Sequence, residues 1–200
     1  KTVSNHLPLI FVRHGETDWN AQGLIQGSFE TDLNEKGREQ ARSVAALLAA
    51  HGDRFKDFDL YVSPQRRALQ TMERIKAALN RDDVAVDGRV RELGFGIWEG
   101  KPFWELKASP VYPADPEGRF FWRPEGGESY EDGVARVAEW RAGLTRPTLV
   151  VAHGAVGRCL MGYTAKLGPR EIVGLPTPQG CYCDLSNGRV EWFDANGQRA

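Results

Sequence analysis

Two short apolar runs, each followed by a histidine and a glycine, constrain the fold more than any other feature of the sequence. Residues 9–12 lead into an Arg-His-Gly triplet at 13–15, and residues 148–152 lead into a His-Gly pair at 153–154. Apolar runs this short are typical of buried strands. The glycine after each histidine permits a sharp bend and a close approach by a ligand. Because ligands bind at the carboxyl ends of strands in open α/β sheets, we expect both histidines to share one site.

Arginines accompany the first of these histidines and the start of a predicted helix. Arg13 offers a fixed fork of donors that fits phosphate oxygens, and a neutral His14 offers a nucleophilic ring nitrogen. Arg66 and Arg67 follow a predicted strand at residues 59–62 and fall in the first turn of the next helix, where unpaired amides favour anions. A pair of solvated surface arginines is the alternative interpretation. Their position at a second strand end favours an anion site.

Strand and helix signals alternate along the rest of the chain. Strands are predicted at residues 59–62, at 84–86 with Val90, at 148–152, and in a hairpin formed by 181–185 and 190–193 around Asn187 and Gly188. Helices are predicted from an Asn34 cap to His51, from Ser63 and Pro64 as cap and first residue, over 130–144 behind a Ser129 cap, and over 155–167. Residues 18–32 are predicted to be a loop. This alternation predicts an α/β fold.

Length and composition predict a single domain over residues 1–200, because 41% hydrophobic residues can build one substantial core. A formal net charge of −1 gives no basic field, so we expect no nucleic-acid partner. No apolar run approaches the roughly 18 residues of a membrane span, and residues 1–8 lack the hydrophobic stretch of a signal peptide. We therefore expect no membrane partner, and a ligand that is small.

Three cysteines, Cys159, Cys181 and Cys183, predict free thiols rather than a disulfide framework, because their number is odd. Cys181 and Cys183 could be half of a metal site, but no second Cys/His pair at zinc spacing accompanies them. We expect strand thiols, no bound metal and a reducing, cytoplasmic compartment. His51 also precedes a glycine, but it lies at a predicted helix end and is expected to be structural.

Two further segments follow the third predicted strand. Residues 91–100 place Glu92 among glycines and aromatic residues, surroundings that suit a general acid at neutral pH. A surface ion pair of Glu92 with Arg89 or Arg91 is the alternative. Residues 101–124 are rich in proline and aromatic side chains. The segment is predicted to be a loop, and a loop of this length and composition is typical of a lid or pocket wall, or of a subunit contact such as that of a homodimer.

Together these residues resemble the histidine phosphatase superfamily, also called the phosphoglycerate mutase-like family. The resemblance covers about residues 9 to 159, and its short motifs follow the family's order. The motifs are Arg13-His14-Gly15-Glu16-Thr17 with Asn20, Gln26-Gly27, Asp32-Leu33, Ser63-Pro64-Gln65-Arg66-Arg67-Ala68 with Gln70-Thr71, Glu92 with Gly96-Ile97-Trp98-Glu99-Gly100, and His153-Gly154. The resemblance implies a three-layer α/β/α sandwich around a mainly parallel central sheet.

The resemblance also implies catalytic roles. His14 would be the nucleophile that becomes phosphohistidine. Arg13, Arg67 and His153 would hold the transferring phosphoryl group. Glu92 would donate a proton to the leaving oxygen and later activate water. Such a site requires no metal or other cofactor.

Four more positions match substrate-contacting residues of similar proteins. Asn20 would act as a neutral donor to the phosphoryl group. Gln26, Gly27 and the backbone at Gly154 would contact the substrate. The position of the acid varies within the superfamily, and Glu99 lies close to Glu92 in the sequence.

The resemblance favours a metal-independent phosphomonoester phosphatase that acts on a small phosphorylated metabolite. A cofactor-dependent phosphoglycerate mutase is the alternative enzyme. Against it, Ala155 stands where such mutases usually have Asn, and residues 101–124 lack their basic, proline-rich insert. A non-catalytic phospho-ligand or protein-binding module is the second alternative. The aromatic residues of 101–124 suggest a substrate with an apolar or flat portion.

Overall fold

The computed structural model describes residues 7–194 and residue 196, and a six-stranded sheet forms its centre. The strands are β1 (Leu9–Arg13), β2 (Asp59–Val62), β3 (Val84–Val86), β4 (Thr148–Ala152), β5 (Tyr182–Asp184) and β6 (Glu191–Phe193). The helices are α1 (Asp18–Ala21), α2 (Glu35–Ala50), α3 (Gly52–Phe55), α4 (Arg66–Ala78), α5 (Phe103–Ala108), α6 (Pro116–Phe121), α7 (Tyr130–Ala142), α8 (Gly154–Ala165) and α9 (Pro169–Ile172). Predictions for residues 1–6 lie outside the described residues.

The sheet is mainly parallel, as predicted. Its strand order is β3-β2-β4-β1-β5-β6. The strands β1 to β4 pair in parallel, whereas β5 runs antiparallel to β1 and to β6. The predicted hairpin around Asn187 and Gly188 is confirmed, and its strand β6 forms one edge of the sheet.

Helices cover both faces of the sheet because successive residues of a strand point to opposite sides. Phe11 of β1 packs in one buried cluster with Trp140 of α7 and residues of α8. Ile10, its neighbour, packs in a second cluster with Ile75 of α4 and residues of α2. Burial of each such side chain stabilises the fold by about 1.5–3 kcal/mol. The result is the predicted three-layer α/β/α sandwich.

Two of the predicted helix caps are confirmed. The side chain of Asn34 accepts a hydrogen bond from the backbone of Gly37 and starts α2, which ends at Ala50 with His51 as its C-cap residue. Ser129 and Asp132 form a capping box at the start of α7. Each cap satisfies a backbone donor that the helix leaves unpaired and is worth about 1 kcal/mol.

The predicted start of the next helix is wrong. Helix α4 begins at Arg66, with Gln65 as its N-cap residue, rather than at Pro64. The hydroxyl of Ser63 accepts the N–H of Gln65 at 3.3 Å. It also lies 2.7 Å from a ring nitrogen of His153. This tertiary partner replaces the local capping role that the sequence predicts for the serine.

Two segments that the sequence predicts as irregular contain short helices. Residues 18–32 include α1, which starts with a capping box between Thr17 and Asn20. Residues 101–124 include α5 and α6. Val90 lies in the 3₁₀ turn Gly88–Val90 rather than in a strand.

The three cysteines are free, as predicted. Cys159 and Cys183 are buried, and burial raises the pKa of the Cys183 thiol to about 12. Within the described part of the chain, no helix combines the length and apolar character that crossing a membrane requires.

Candidate active site

The candidate site lies where three parallel strands end. His14 follows β1, Ser63 follows β2 and His153 follows β4. The backbone N–H of His14 donates to Ala152 at 3.0 Å, which keeps β1 and β4 in register up to the site. The ring centroids of His14 and His153 lie 5.1 Å apart. The structure therefore brings together the two histidines that the sequence placed at separate strand ends.

The hydrogen bonding of His14 fixes which ring nitrogen is free. Its Nδ1 lies 2.7 Å from the carbonyl oxygen of Gly15. Because a carbonyl only accepts, Nδ1 carries the proton and Nε2 keeps its lone pair. Burial lowers the pKa of His14 well below its ordinary value of 6.5, and the charges of Arg13 and Arg67 lower it further. The ring is therefore neutral, and the lone pair of Nε2 is available for reaction.

Two glycines let the chain after His14 lie against the first turn of α2. A Cβ on Gly15 would lie 2.2 Å from the carbonyl oxygen of Gly37, and a Cβ on Gly37 would lie 1.9 Å from that of Glu16. The N–H of Gly15 donates to the hydroxyl of Thr71 at 3.1 Å. This backbone contact holds the turn that presents the His14 ring.

His153 is fully buried and bonded on one side only. Its Nε2 lies 2.7 Å from the hydroxyl of Ser63, while its Nδ1 is buried without a partner among the described residues. The pKa of His153 lies well below 6.5, chiefly because the ring is buried. The charges of Arg67, His14 and Arg13 lower it further. The Nδ1 of this neutral ring has no described partner, so it can donate a hydrogen bond to a bound anion.

Arg13 and Arg67 are held by backbone carbonyls rather than by carboxylates. Arg13 donates from Nη1 to Thr177 at 2.8 Å. Arg67 donates to Phe29 at 2.7 Å and to Gly27 at 2.9 Å. Neither guanidinium forms an ion pair with a described carboxylate, and each has a buried Nε without a partner there. Burial lowers the pKa of both groups, which remain cationic and available to an anion.

The neighbouring arginine has a different environment. Arg66 forms an exposed ion pair with Asp32 at 2.8 Å and its backbone N–H donates to Glu30. Arg67 therefore lies at the site, as predicted for both arginines. Arg66 lies on the surface, which is the alternative interpretation.

Glu92 lines the same cavity as Arg13 and His14. Its carboxylate accepts the N–H groups of Ala155 at 3.1 Å and Val156 at 2.9 Å, at the start of α8. Two of the unpaired amides that every helix start carries thus hold this side chain at the site. The surface ion pair with Arg89 or Arg91 does not form, since those arginines bind Asp87 and Glu128.

Glu99 has a different role. Its carboxylate accepts the backbone N–H groups of Ser28 and Phe95, both at 2.9 Å, and the hydroxyl of Ser28. It thus ties two loops together beside the cavity. Gly27, which precedes Ser28, has a φ of 49°, a left-handed conformation that favours glycine.

The four predicted substrate-contacting positions, Asn20, Gln26, Gly27 and Gly154, also line the cavity. The Asn20 side-chain oxygen accepts from Gln179 at 3.1 Å. The oxygen of Gln26 accepts the hydroxyls of Thr17 and Thr31 at 2.9 and 2.6 Å. These bonds leave the amide NH₂ group of each side chain as the donor that can face a ligand.

Gln65 is one of the residues that sequence reasoning did not assign to the site. Its Nε2 donates to Gly27 at 2.9 Å, and its Oε1 accepts the N–H of Glu92 at 2.8 Å. It therefore joins the segments that carry two site residues. Its place beside Ser63 and Arg67 in a family motif is the signal that could have identified it.

Thr177 and Gln179 are the other unassigned contributors. The Thr177 carbonyl holds Arg13, and the Gln179 amide donates to the carbonyl oxygen of His14 at 3.1 Å. Both lie between α9 and β5, where no apolar periodicity marks the chain. No sequence signal could have placed them at the site.

The site opens into a cavity of about 290 Å³ with aromatic walls. Three of its rings come from residues 101–124: Phe103, Tyr112 and Trp122. This segment forms a pocket wall, which is one of the predicted alternatives. Trp104 and Phe121 of the same segment are 69% and 51% exposed and do not line the cavity. Within the described residues, no group of three or more His, Cys, Asp or Glu side chains is placed to hold a metal ion.

The chain is an α/β protein with a mainly parallel three-layer sandwich, in which two histidines follow parallel strands and lie in one site with two buried arginines. The chain belongs to the histidine phosphatase superfamily (branch 1), whose family model matches residues 9–193.

Named relatives include enzymes of two activities. The chain is 34% identical over 166 residues to a glucosyl-3-phosphoglycerate phosphatase of Mycolicibacterium vanbaalenii, covering 74% of this chain and 69% of the relative. It is 32% identical to a 2,3-bisphosphoglycerate-dependent phosphoglycerate mutase of Methylocella silvestris, covering 86% of this chain and 88% of the mutase.

Solved structures are also similar. A mycobacterial glucosyl-3-phosphoglycerate phosphatase in complex with VO3 has a TM-score of 0.76 and 28% identity, covering 93% of this chain and 96% of that one. A phosphoserine phosphatase of Entamoeba histolytica in complex with 3-phosphoglyceric acid also has a TM-score of 0.76, with 26% identity over 88% of this chain and 89% of that one.

Proposed function

We propose that this chain is a metal-independent phosphomonoester phosphatase whose intermediate is a phosphohistidine on His14. The observation that carries the proposal is the hydrogen bond from His14 Nδ1 to Gly15. It leaves Nε2 unprotonated in a cavity that also contains two guanidinium groups without ion-pair partners, Arg13 and Arg67. The phosphatase names of several relatives support the same activity.

In the first step, the lone pair of His14 Nε2 attacks phosphorus, and the bond from phosphorus to the ester oxygen breaks. The leaving oxygen takes the electron pair of that bond and a proton from the Glu92 carboxyl group. Arg13, Arg67 and the Nδ1–H of His153 stabilise the charge on the non-bridging oxygens. The products are an alcohol and phosphohistidine.

In the second step, water attacks the phosphorus and gives a proton to the Glu92 carboxylate. The phosphorus–nitrogen bond breaks, and its electron pair returns to His14 Nε2. Inorganic phosphate leaves, and the enzyme regains its starting protonation. Two steps with one carboxyl that alternates as acid and base replace a single, harder displacement by water.

A phosphoglycerate mutase is the second candidate function. The mutase relative, which aligns with more of this chain than the phosphatase relative does, is the observation in its favour. A mutase would return the phosphoryl group from His14 to a phosphoglycerate rather than to water. The aromatic wall of the cavity is common to both proposals, so activity measurements must separate them.

The test is phosphate release from p-nitrophenyl phosphate, 3-phosphoglycerate and O-phosphoserine in the presence of EDTA. His14→Ala is the inactive variant, and His51→Ala, which changes an exposed histidine before a glycine, is its matched control. We expect release that EDTA does not reduce, that His14→Ala abolishes and that His51→Ala retains. Rapid quenching of radiolabelled substrate should trap an acid-labile phosphoenzyme only when His14 is present.

Other outcomes would contradict the proposal. Loss of activity with EDTA that a divalent cation restores would exclude a metal-independent reaction. Conversion of 3-phosphoglycerate to its 2-isomer after priming with 2,3-bisphosphoglycerate, without phosphate release, would establish the mutase. Binding of phosphate esters without either reaction would indicate a non-catalytic module.

A further inference from the structure

The cavity contains more positive charge than one phosphoryl group requires. Besides Arg13 and Arg67, it is lined by Arg119 and Arg158. Neither of these two arginines forms an ion pair with a described carboxylate, although most described ion pairs on the surface involve an arginine. Two cations without ion-pair partners in one cavity suit a ligand that carries a second negative group in addition to the phosphoryl group.

Arg158 lies on α8, one turn after His153. Its Nε donates to the carbonyl of Leu175 at 2.7 Å, and its Nη1 donates to the hydroxyl of Tyr130 at 3.2 Å. Among the described residues Nη2 has no hydrogen-bond partner. The guanidinium is thus held in place by two neutral acceptors, while one arm remains for a ligand.

Arg119 reaches the cavity from α6. Its Nε donates to Pro113 at 2.9 Å and its Nη2 to Ala114 at 2.7 Å, both backbone carbonyls. Its guanidinium also lies 5.3 Å from the ring centre of Tyr112. Within the described chain Nη1 makes no hydrogen bond. As with Arg158, neutral groups orient the side chain, and no described carboxylate forms an ion pair with it.

The two guanidinium groups act on the same part of the cavity. Burial raises the pKa of the Tyr112 phenol, and the charges of Arg119 and Arg158 both oppose that rise. The charge of Arg158 also lowers the pKa of Arg13. The charge of Arg158 therefore acts on both Arg13 and Tyr112.

The carboxylates of the cavity do not balance these charges. Glu128 is bound by Arg91 and Arg136, both at 3.1 Å. Glu92 would be neutral when it protonates the leaving oxygen. A phosphoryl dianion would balance Arg13 and Arg67. An unbalanced pair of cations then remains next to the aromatic wall.

We propose that Arg119 and Arg158 form a second anion subsite, and that the preferred substrates are phosphomonoesters that carry a second anionic group such as a carboxylate. The proposal rests on the proposed function and adds a substrate class to it. The second group would accept hydrogen bonds from Nη1 of Arg119 and Nη2 of Arg158. The aromatic wall would cover the carbon atoms between the two anionic groups.

The test compares esters that differ in one anionic group. The pairs are 3-phosphoglycerate with glycerol 3-phosphate, O-phosphoserine with O-phosphoethanolamine, and fructose 1,6-bisphosphate with fructose 6-phosphate. For the first two pairs we expect kcat/KM about 10- to 100-fold higher for the carboxylated member, the range of one or two charge-assisted hydrogen bonds. The third pair determines whether a second phosphate can replace the carboxylate.

Variants link this preference to the two arginines. Arg119→Gln and Arg158→Gln should each lower kcat/KM for 3-phosphoglycerate by about tenfold and leave glycerol 3-phosphate nearly unchanged. Arg123→Gln is the matched control, since Arg123 lies in the same segment, is exposed and pairs with Asp132. Arg158→Lys and a thermal unfolding curve show whether a loss in Arg158→Gln is a folding defect.

Three results would overturn the proposal. The wild-type protein could cleave both members of each pair equally well, the Arg119 variant could lose activity equally on both members, or the Arg123 variant could lose the preference as strongly. A protein that cleaves none of the esters, p-nitrophenyl phosphate included, contradicts the proposed function instead. Calorimetric binding of 3-phosphoglycerate and glycerol 3-phosphate then tests the subsite alone, and equal affinities would refute it.

Discussion

The hydroxyl of Ser63 lies 2.7 Å from Nε2 of His153, across the gap between the ends of β2 and β4. The same hydroxyl accepts the N–H of Gln65 and has no other acceptor among the described residues to which it can donate. Its proton therefore points to His153 Nε2, and the ring carries its own proton on Nδ1. Nδ1 is the ring nitrogen that lacks a described partner. A phosphoryl oxygen could accept its hydrogen bond.

Ser63→Ala should therefore weaken catalysis while leaving His14 in place. Loss of the bond leaves a buried nitrogen unpaired and the tautomer undefined, a cost of about 1–3 kcal/mol, or roughly 5- to 150-fold in kcat/KM. Nitrogen chemical shifts of the His153 ring should change to those of mixed tautomers. Ser186→Ala, which removes a buried hydroxyl without a described partner, is the control. Unchanged shifts in Ser63→Ala would refute the assignment.

The two buried histidines should make the fold sensitive to acid. Their folded-state pKa values lie below the ordinary value of 6.5, chiefly because burial disfavours the charged ring. The unfolded chain therefore binds more protons as the pH falls below 6.5, and the free energy of unfolding decreases down to the folded-state pKa values. Each histidine contributes a slope of up to about 1.4 kcal/mol per pH unit in this window.

Denaturant titrations between pH 5 and pH 7 measure that slope. We expect His14→Gln and His153→Gln each to show a shallower slope than the wild-type protein. His51→Gln, which changes an exposed histidine, should keep the wild-type slope. Equal slopes in all four proteins would show that the buried rings do not control stability in this range.

The two glutamates can be separated by the leaving group of the substrate. Glu92→Gln should lower kcat for alkyl phosphates by about 10²–10⁴-fold, because the leaving alkoxide then lacks its proton. The loss should be much smaller for p-nitrophenyl phosphate, whose leaving group needs no proton. Glu99→Gln should instead raise KM for both kinds of ester to a similar degree, since Glu99 holds the loop at Ser28. A leaving-group dependence in Glu99→Gln and not in Glu92→Gln would reverse the two assignments.

The contact between Gly15 and Gly37 predicts a strong effect of one methyl group. Gly37→Ala places a Cβ 1.9 Å from the carbonyl oxygen of Glu16, so α2 or the His14 turn must move. We expect a loss of about 1–3 kcal/mol in the free energy of unfolding, together with reduced kcat. Gly52→Ala is the matched control because its Cβ meets no atom within 4 Å. A Gly37→Ala protein as stable and active as Gly52→Ala would contradict the packing described.

The sequence predicts the strand ends well because the apolar runs before His14 and His153 are uninterrupted and hydrophobic burial determines their path. It predicts Asn34 and Ser129 as caps because each has its donor within three residues. Ser63 is misassigned because a serine before a proline has the same local pattern whether its hydroxyl caps a helix or reaches a distant histidine.

The site residues that the sequence did not reveal share one physical origin. Gln65, Thr177 and Gln179 act through hydrogen bonds with residues far away in the sequence, and the largest separation is that between Gln179 and His14. Such bonds leave no periodic pattern. The position of Arg119 likewise depends on how α6 packs over the cavity, which no local spacing encodes.

The position of β1 in the sheet has a consequence for synthesis on the ribosome. Of the described strands, β1 is the first to be synthesised, and its described partners, β4 and β5, lie in the last part of the described chain. Translation proceeds at about 5–20 residues per second. The four buried apolar residues of β1 therefore lack a described strand partner for roughly ten seconds. Nascent chains that stop before Thr148 cannot complete the centre of the sheet, and they expose an aggregation-prone segment that chaperones would need to shield.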